Sequence, residues 1–392
     1  MINECHYDNY DQKENLSFES KVVHGALGCD PISGAVSFPI FQTATFRHRD
    51  FGISTGYDYT RLQNPTRQEL ERTMAILDNG REAFAFSSGQ AANMSVFGLL
   101  EEGDHVMLSD DIYGGTYRIC EDIFRKVGCD FTYVDMTDTK QVLSTMRPST
   151  KLLFVEAPTN PTMKVADIKE LSEIAKKNGA LLVVDNTFLT PYFQQPLSLG
   201  ADIVVYSGTK YLSGHNDVIA GIVVVKDEKL AESLRLQMKS RGNGLAPFDS
   251  WLVLRGLKTL SVRMKQHNEN ALEVAQWLRK HPMIKKVYYV GFQDHPNYST
   301  TCKQTTGFGG MISFELNSVE SAHKILSQVK MILFAESLGG TESLITYPLT
   351  QTHESIPNEI LSKLGINERF IRLSVGIENV KDIIADLEQA LR

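Results

Sequence analysis

The strongest constraint on the fold of this chain is a regular alternation of short apolar runs with amphipathic stretches. Between the runs, apolar residues follow helical spacing, as in 66–78, near 114–127 and near 167–178. This alternation predicts an α/β domain with a large, mostly parallel sheet that has helices on both faces. The strand-length apolar runs lie at 83–86, 105–110, 131–135, 151–158, 181–185, 202–208 and 221–227.

A different pattern starts after Asp249 and predicts a smaller C-terminal α/β domain. A long helical stretch at about 249–280 is followed by apolar runs at 286–291, 311–316 and 331–337, with helices near 320–329 and 379–391. We therefore expect a mobile tail and N-terminal arm at 1–60, a large domain at 61–256 and a C-terminal domain at 257–392.

Composition excludes several classes of protein. The chain carries 40 Lys and Arg against 47 Asp and Glu, so it lacks the basic surface that a nucleic acid requires. Its longest apolar runs are far too short to span a membrane. Five cysteines without CxxC spacing argue against a disulfide framework and against a metal cluster. Residues 1–15 are polar and show no signal-peptide pattern, so we expect a cytoplasmic protein.

Chemically versatile side chains follow the apolar runs of the predicted sheet. These are Ser87-Ser88-Gly89 after 83–86, Glu156 and Asn160 after 151–155, Asp185 at the end of 181–185, and Ser207-Gly208-Thr209-Lys210 after 202–206. Ligands of an open parallel sheet bind at the carboxyl ends of its strands. Pyridoxal phosphate needs a lysine for its aldehyde, a carboxylate for its ring nitrogen and a site for its phosphate, and this edge offers all three.

Each of these groups alone has a simpler explanation as a helix cap, a turn former or a surface charge. Competing motifs are incomplete, since no G-x-G-x-x-G follows a strand and neither a P-loop nor H-E-x-x-H is present. Ser207 and Lys210 satisfy the S-x-x-K motif of serine acylases, but the partner motifs S-D-N and K-T-G are missing. The combined set therefore favours pyridoxal phosphate.

Long motifs identify a family that the chain resembles from about Val22 to its C-terminus. They are Gly56-Tyr-Asp-Tyr-Thr-Arg61, Asn64-Pro-Thr-Arg67, Tyr113-Gly-Gly-Thr116, Val184-Asp-Asn-Thr-Phe188, Tyr206-Ser-Gly-Thr-Lys210, Ala335-Glu-Ser-Leu-Gly-Gly340 and Arg372-Leu-Ser-Val-Gly376. The chain resembles the cysteine and methionine metabolism family of pyridoxal-phosphate enzymes. The resemblance implies the fold-type I architecture of aspartate-aminotransferase-like transferases, with a seven-stranded sheet in the large domain. It also implies a homotetramer with active sites shared between subunits, small amino-acid substrates, and neither nucleic-acid nor membrane partners.

The resemblance also assigns residues to the cofactor. It implies that Lys210 forms the Schiff base and carries protons, that Asp185 pairs with the ring nitrogen, and that Tyr113 stacks on the ring and assists the leaving group. The phosphate is implied to be bound by Ser88, Gly89, Gln90, Ser207 and Thr209, together with Tyr59 and Arg61 of a neighbouring subunit. Gln90 and Gly208 depart from the apolar residue and the alanine usual in the family, but neither change removes a functional group.

A second set of residues is implied to bind the substrate. Asn160 and Arg372 match the pair that holds the substrate carboxylate, for which the planar fork of an arginine is well suited. Ser337 is implied as a further substrate-binding residue. Glu336 and Arg118 match residues that recognise the distal end of a longer substrate.

The resemblance also bears on the reaction. The stretches FRHRDFGISTGYDYTR and SGHNDVIAGIVVVKDE look closest to bacterial cystathionine γ-synthases that also accept sulfide with an acylated homoserine, and Gly115 replaces the cysteine of methionine γ-lyases. We therefore predict γ-replacement on an O-acylated homoserine with cysteine. Cystathionine γ- or β-lyase activity and homocysteine or methionine γ-lyase activity are the alternatives. The intact set of Lys210, Asp185 and Arg372 disfavours a non-enzymatic member of the family.

Overall fold

The computed structural model describes residues 16–30, 32–354 and 356–392. The described chain divides into two compact units, one formed by 16–99 and 202–261 and the other by 100–201 and 262–392. Each unit is therefore discontinuous in sequence. Residues 1–15 of the predicted tail lie outside the described residues, and the predicted boundaries at 60 and 256 stay predictions.

The elements of the described residues alternate along the chain as the apolar pattern predicts. The strands are β1 (Glu82–Phe86), β2 (His105–Ser109), β3 (Asp130–Val134), β4 (Thr150–Glu156), β5 (Leu181–Asp185), β6 (Ile203–Ser207), β7 (Gly221–Val225), β8 (Ile284–Tyr288), β9 (Met311–Leu316), β10 (Leu333–Phe334), β11 (Leu344–Thr346) and β12 (Phe370–Ser374). The α-helices are α1 (Phe18–His24), α2 (Pro65–Leu77), α3 (Gly89–Phe97), α4 (Gly114–Arg118), α5 (Thr139–Thr145), α6 (Ile168–Lys177), α7 (Thr190–Phe193), α8 (Glu228–Arg241), α9 (Pro247–Leu257), α10 (Leu260–Lys280), α11 (Tyr298–Gln304), α12 (Val319–Gln328), α13 (Asn358–Lys363) and α14 (Val380–Leu391).

The first unit contributes β1, β7 and β6, in that order, to a seven-stranded sheet. β7 runs antiparallel to both of its neighbours. Helix α2 packs against β1 with its buried side chains Leu70, Met74 and Leu77. Its start is fixed by Asn64, whose Oδ1 accepts from the N–H of Thr66 at 3.0 Å, and by a proline at the first helical position.

The second unit contributes the four strands β5, β4, β2 and β3, which are all parallel. Because helices cover a parallel sheet, its strands are apolar on both faces, as the fully buried β2 shows. One core cluster joins Leu153, Val155 and Val184 of the strands to Leu171 and Ala175 of α6. These contacts hold the carboxyl ends of β4 and β5, where functional residues follow, in fixed positions.

A second sheet in the same unit has five strands in the order β10-β11-β12-β9-β8. Helices α10, α12 and α14 bury their apolar faces against it, in a core that includes Val274, Phe314, Ile325, Leu373 and Leu387. The prediction of an α/β class with one large, mostly parallel sheet and a second, smaller sheet is confirmed.

Three predicted elements differ from the structure. The helix predicted near 114–127 is α-helical only in α4 and continues as a π-helix (Ile119–Phe124) and a 3₁₀ turn (Arg125–Val127). The helix predicted at 249–280 is two helices, since Thr259 turns its hydroxyl back to the carbonyl of Gly256 at 3.1 Å, in competition with the helical hydrogen bonds. The strand predicted at 331–337 is paired only over β10.

The described residues contain neither a membrane-spanning helix nor a metal site. No helix among the described residues combines the length and the apolar character that crossing a membrane requires. The described residues also contain no group of His, Cys, Asp or Glu side chains arranged to hold a metal ion.

Candidate active site

In the first unit, the end of β1 and the start of α3 form a tightly packed turn. The Oγ of Ser88 caps α3 by accepting from the N–H of Ala91 at 3.0 Å. A Cβ on Gly89 would lie 3.1 Å from the Cβ of Ser207, and one on Gly221 would lie 2.1 Å from the carbonyl oxygen of Ser88. Because glycines occupy both positions, the N-terminus of α3 approaches the end of β6. Backbone N–H groups, the helix dipole and a serine hydroxyl meet there, as an anion site requires.

Lys210 lies in a turn directly after β6. Its N–H donates to the carbonyl of Ser207 at 3.2 Å. Thr209 is fixed beside it, because its hydroxyl accepts from the N–H of Ala220 at 3.0 Å and donates to the carbonyl of the same residue at 3.2 Å. A Cβ on Gly208 would lie 3.1 Å from that of Ala220, so an alanine at position 208 would be tightly packed. The backbone around Lys210 is thus held on both sides.

Tyr59 and Arg61 lie at the surface of the first unit. Nη1 of Arg61 donates to the carbonyl of Lys239 at 2.9 Å, near the C-terminal end of α8. The guanidinium carbon lies 5.5 Å from the centroid of the Tyr59 ring. Both side chains are exposed, and their predicted contact with the phosphate of a neighbouring subunit stays a prediction. Gln90, in the first turn of α3, is half-buried.

In the second unit, two carboxyl groups are neighbours at the carboxyl ends of β4 and β5. Glu156 and Asp185 are paired positions in the register of these parallel strands. Burial raises the pKa of both groups, and the neighbouring Asp185 raises the pKa of Glu156 further. The N–H of Thr187 donates to Asp185 at 3.0 Å and partly opposes the rise in its pKa. A cation placed at Asp185 would favour its ionised form, which is what a protonated pyridine nitrogen offers.

Asn160 and Arg372 form a buried polar pair in the same unit. Arg372 is only 1% exposed, and its Nη1 donates to Oδ1 of Asn160 at 3.1 Å. Its Nη2 donates to the carbonyl of Ser337 at 2.9 Å and to the hydroxyl of Thr346 at 3.2 Å. Ser337 has a φ of 99°, which is rare for a residue with a side chain. The structure therefore brings together the two residues that the sequence assigned to the substrate carboxylate and a third, Ser337, that it assigned to substrate binding.

Tyr113 is held at the start of α4 by Glu156, whose Oε1 accepts from the N–H of Tyr113 at 2.8 Å. Burial raises the pKa of the Tyr113 phenol, and the charges of Arg118, Glu336 and Arg372 also act on it. Because the phenol stays protonated at neutral pH, it can donate a proton. Arg118, the last residue of α4, and Glu336 are both exposed and carry opposite charges.

Two residues near this set had no predicted role. One is Glu156, which follows the apolar run at 151–155 in the sequence. Its position opposite Asp185 in the parallel register of β4 and β5 is the feature that could have identified it as a site residue. The other is His353, whose Nε2 lies 3.0 Å from the carbonyl oxygen of Asn160. These residues are 193 positions apart, and no local pattern joins them.

Comparisons with known proteins match nearly the whole chain. The family model for Cys/Met metabolism PLP-dependent enzymes matches residues 19–392. A cystathionine β-lyase of Coxiella burnetii is 48% identical and covers 98% of this chain and 99% of its own. A cystathionine γ-synthase/O-acetylhomoserine (thiol)-lyase of Bacillus subtilis is also 48% identical, over 95% and 96% of the two chains.

A solved structure gives the same result for the fold. The crystal structure of a cystathionine γ-lyase from Lactobacillus plantarum, complexed with L-serine, has a TM-score of 0.94 and 42% identity, and it covers 96% of this chain and 98% of its own. The predicted fold-type I architecture and the predicted cofactor are therefore confirmed. The chain belongs to the family of pyridoxal-phosphate-dependent enzymes of cysteine and methionine metabolism.

Proposed function

We propose that this enzyme makes cystathionine, by replacing the γ-acyloxy group of an O-acylated homoserine with cysteine. The proposal rests on the buried Asn160–Arg372 pair, which offers a place for one carboxylate, and on two exposed residues of opposite charge in the same unit, Arg118 and Glu336. A substrate carboxylate at Arg372 and Asn160 leaves these two charges for the carboxylate and the ammonium of a second amino acid. Cysteine and the distal half of cystathionine both carry that pair of groups.

The residues present fit the cofactor. Gly89 and Gly221 let the N-terminus of α3 approach Ser207 closely, so that backbone N–H groups and the hydroxyls of Ser88 and Ser207 come together, which suits the phosphate. We propose that Lys210 binds the aldehyde and that Asp185, whose pKa burial raises, holds the ring nitrogen as a cation. When bound, pyridoxal phosphate supplies an electron sink that stabilises negative charge next to the substrate α-carbon.

The remaining chemistry falls to side chains of this chain. Lys210 moves the proton at the substrate α-carbon, since its amine is the basic group beside the aldehyde. Arg372 and Asn160 fix the carboxylate, which orients the bonds at that carbon. Tyr113, held through its N–H by Glu156, donates a proton from its protonated phenol to the leaving group. Glu336 and Arg118 then hold cysteine as the incoming nucleophile.

Cleavage of cystathionine is the second candidate. The names of relatives favour it, since a β-lyase of Coxiella burnetii is 48% identical and a γ-lyase of Bacillus subtilis is 47% identical to this chain. The same charge pair would hold the distal amino-acid group of cystathionine in either reaction. What separates the reactions is whether a thiol or water completes them.

A product assay separates the two candidates. The purified holoenzyme is given O-acetylhomoserine or O-succinylhomoserine with cysteine, and in parallel cystathionine alone. We expect a higher kcat/KM for cystathionine formation than for its cleavage. Release of 2-oxobutanoate from cystathionine at the higher kcat/KM would establish a γ-lyase, and release of pyruvate would establish a β-lyase.

Replacing Glu336 tests the charge pair itself. We expect Glu336→Gln to raise the KM for cysteine by about 10-fold and the KM for the homoserine ester much less, because only cysteine presents an ammonium there. Glu359→Gln, which removes an exposed carboxylate on α13, is the matched control. Equal changes in both KM values would contradict the assigned role of Glu336.

A further inference from the structure

Asn160 is fixed on three sides in the second unit. Its N–H donates to Oε2 of Glu156 at 3.3 Å, and its Oδ1 accepts from Arg372 at 3.1 Å. Its carbonyl oxygen lies 3.0 Å from Nε2 of His353. Among the hydrogen bonds of the described residues, none uses the Nδ2 of Asn160. That amide nitrogen is therefore the donor left for a ligand carboxylate next to Arg372.

His353 is a fully buried side chain with defined partners for both ring nitrogens. Its Nδ1 lies 2.8 Å from the hydroxyl of Thr352, and its Nε2 lies 3.0 Å from the carbonyl of Asn160. A carbonyl oxygen can only accept, so Nε2 carries the hydrogen and Nδ1 accepts from Thr352.

The charge state of His353 agrees with these hydrogen bonds. Burial, assisted by the positive charge of Arg372, lowers the pKa of His353 to about 4. The ring is therefore neutral at pH 7 and brings a donor to Asn160 without adding a second positive charge beside Arg372. A lysine or a charged histidine would compete with Arg372 for the substrate carboxylate.

We infer that His353 is a positioning residue, which sets the orientation of Asn160 and thereby the affinity of the site for an amino-acid carboxylate. The peptide group before Asn160 is fixed by Glu156, and His353 fixes the peptide group after it. With both peptide groups fixed, the side-chain amide keeps its Oδ1 towards Arg372 and its Nδ2 towards the ligand. This inference rests on the proposed role of Asn160 and Arg372 in binding the carboxylate.

The test compares two amides of different length at position 353. The amide nitrogen of His353→Gln reaches approximately the place of Nε2, whereas that of His353→Asn reaches only the place of Nδ1. Binding of L-serine and of L-serinamide to each holoenzyme is followed through the absorbance of the bound cofactor. These probes need no sulfur chemistry, so the result does not depend on which reaction the enzyme catalyses.

We expect His353→Asn to weaken the binding of L-serine by about 10-fold and the binding of L-serinamide by less than about 3-fold. We expect the affinities of His353→Gln for both ligands to stay within about 3-fold of the wild type. His105→Asn is the matched control, because His105 is also buried, bonds Thr150 and Thr132, and lies at the opposite end of β2 from Tyr113.

Three results would overturn the inference. The first is an equal loss of affinity for L-serine and for L-serinamide in His353→Asn. The second is a loss of L-serine affinity in His353→Gln as large as that in His353→Asn. The third is a selective loss of L-serine affinity in His105→Asn. If wild-type protein binds the acid no better than the amide, the carboxylate role of Asn160 and Arg372 fails instead.

Discussion

At the scale of single residues, the protein depends on buried groups whose charge is set by their surroundings. Asp78 is fully buried at the end of α2 and accepts from the hydroxyl of Tyr206 at 2.7 Å. Tyr206 directly precedes Ser207 and the turn of Lys210. Burial raises the pKa of Asp78 to about 7, so this carboxyl binds a proton in the folded protein that it loses on unfolding near neutral pH.

The first prediction concerns Lys210. We expect Lys210→Ala to abolish turnover and also the absorbance at about 420 nm of the lysine-bound cofactor, because one amine serves both purposes. Borohydride treatment of the wild type should remove the same band. Lys226→Ala, which removes a lysine directly after β7, serves as the control and should keep both properties. A band that persists in Lys210→Ala would show that another lysine holds the cofactor.

The second prediction is a pH dependence at Asp78. The unfolded carboxyl has a pKa near 3.8 and the folded one near 7, so its contribution to stability falls as the pH rises through that window and is lowest above pH 7. Asp78→Asn keeps an acceptor for Tyr206 and cannot ionise. The Tm of the variant relative to wild type should therefore rise between pH 5 and pH 8, by the equivalent of about 2–4 kcal/mol.

Thermal unfolding at several pH values checks this expectation. Tyr206→Phe is the control, since it removes the hydrogen bond and leaves the ionisable carboxyl in place. Its stability should fall between pH 5 and pH 8 at least as much as that of the wild type, because the hydrogen bond from Tyr206 lowers the pKa of Asp78. If the difference in Tm between Asp78→Asn and wild type does not change with pH, the pKa of Asp78 is not raised on folding.

At the scale of elements, the last helix fixes the segment that leads to Glu336 and Ser337. Asp386 of α14 is buried and accepts from the N–H groups of Lys330, Met331 and Ile332 at 2.8–3.1 Å. These three residues directly precede β10. One carboxylate thus replaces the hydrogen bonds that the backbone would otherwise make with water.

The third prediction follows from this contact. We expect Asp386→Ala to lower the free energy of unfolding by about 2–4 kcal/mol, because three N–H groups, of which that of Ile332 is buried, lose a charged acceptor. Asp382→Ala, on the exposed side of the same helix, should lower the free energy of unfolding by less than about 1 kcal/mol. Denaturant unfolding of both variants measures the difference. If both variants lose the same free energy of unfolding, the effect comes from a change in helix propensity and not from the hydrogen bonds of Asp386 to the backbone of 330–332.

The elements also show what a sequence can and cannot predict. The runs around β2 and β9 were predicted to within one residue, because runs rich in apolar residues identify buried strands. β12 was not predicted as a strand; its five residues have the charged Arg372 at their centre. Arg372 is buried beside Asn160, to which it donates a hydrogen bond. The residue that makes β12 hard to recognise in the sequence is therefore also the residue that we assign to substrate binding. His353 could not be predicted, because its partner is defined only by the folded chain.

At the scale of the whole molecule, the proposed homotetramer with shared sites depends on Tyr59 and Arg61. In its own chain Arg61 donates to the carbonyl of Lys239, and Tyr59 is 44% exposed. Side chains that are held at the surface in this way are available to another subunit.

The fourth prediction tests that sharing. Arg61→Ala and Lys210→Ala should each be inactive or nearly so, and mixing the two under conditions of subunit exchange should restore part of the activity. Hybrids that pair a Lys210 from one chain with an Arg61 from the other contain an intact site. Mass spectrometry confirms the exchange. Exchanged hybrids that stay inactive would show that each subunit uses its own Arg61.

The discontinuity of the first unit has a consequence for synthesis on the ribosome. β1 forms an edge of its sheet and pairs with β7, which follows about 140 residues later in the chain. At about 5–20 residues per second, the ribosome needs roughly 7–30 s to make that intervening stretch. During this time the apolar strand Glu82–Phe86 has emerged without its partner. A nascent chain released before Gly221 would therefore expose an unpaired, aggregation-prone strand, which chaperones must cover until the second half of the unit arrives.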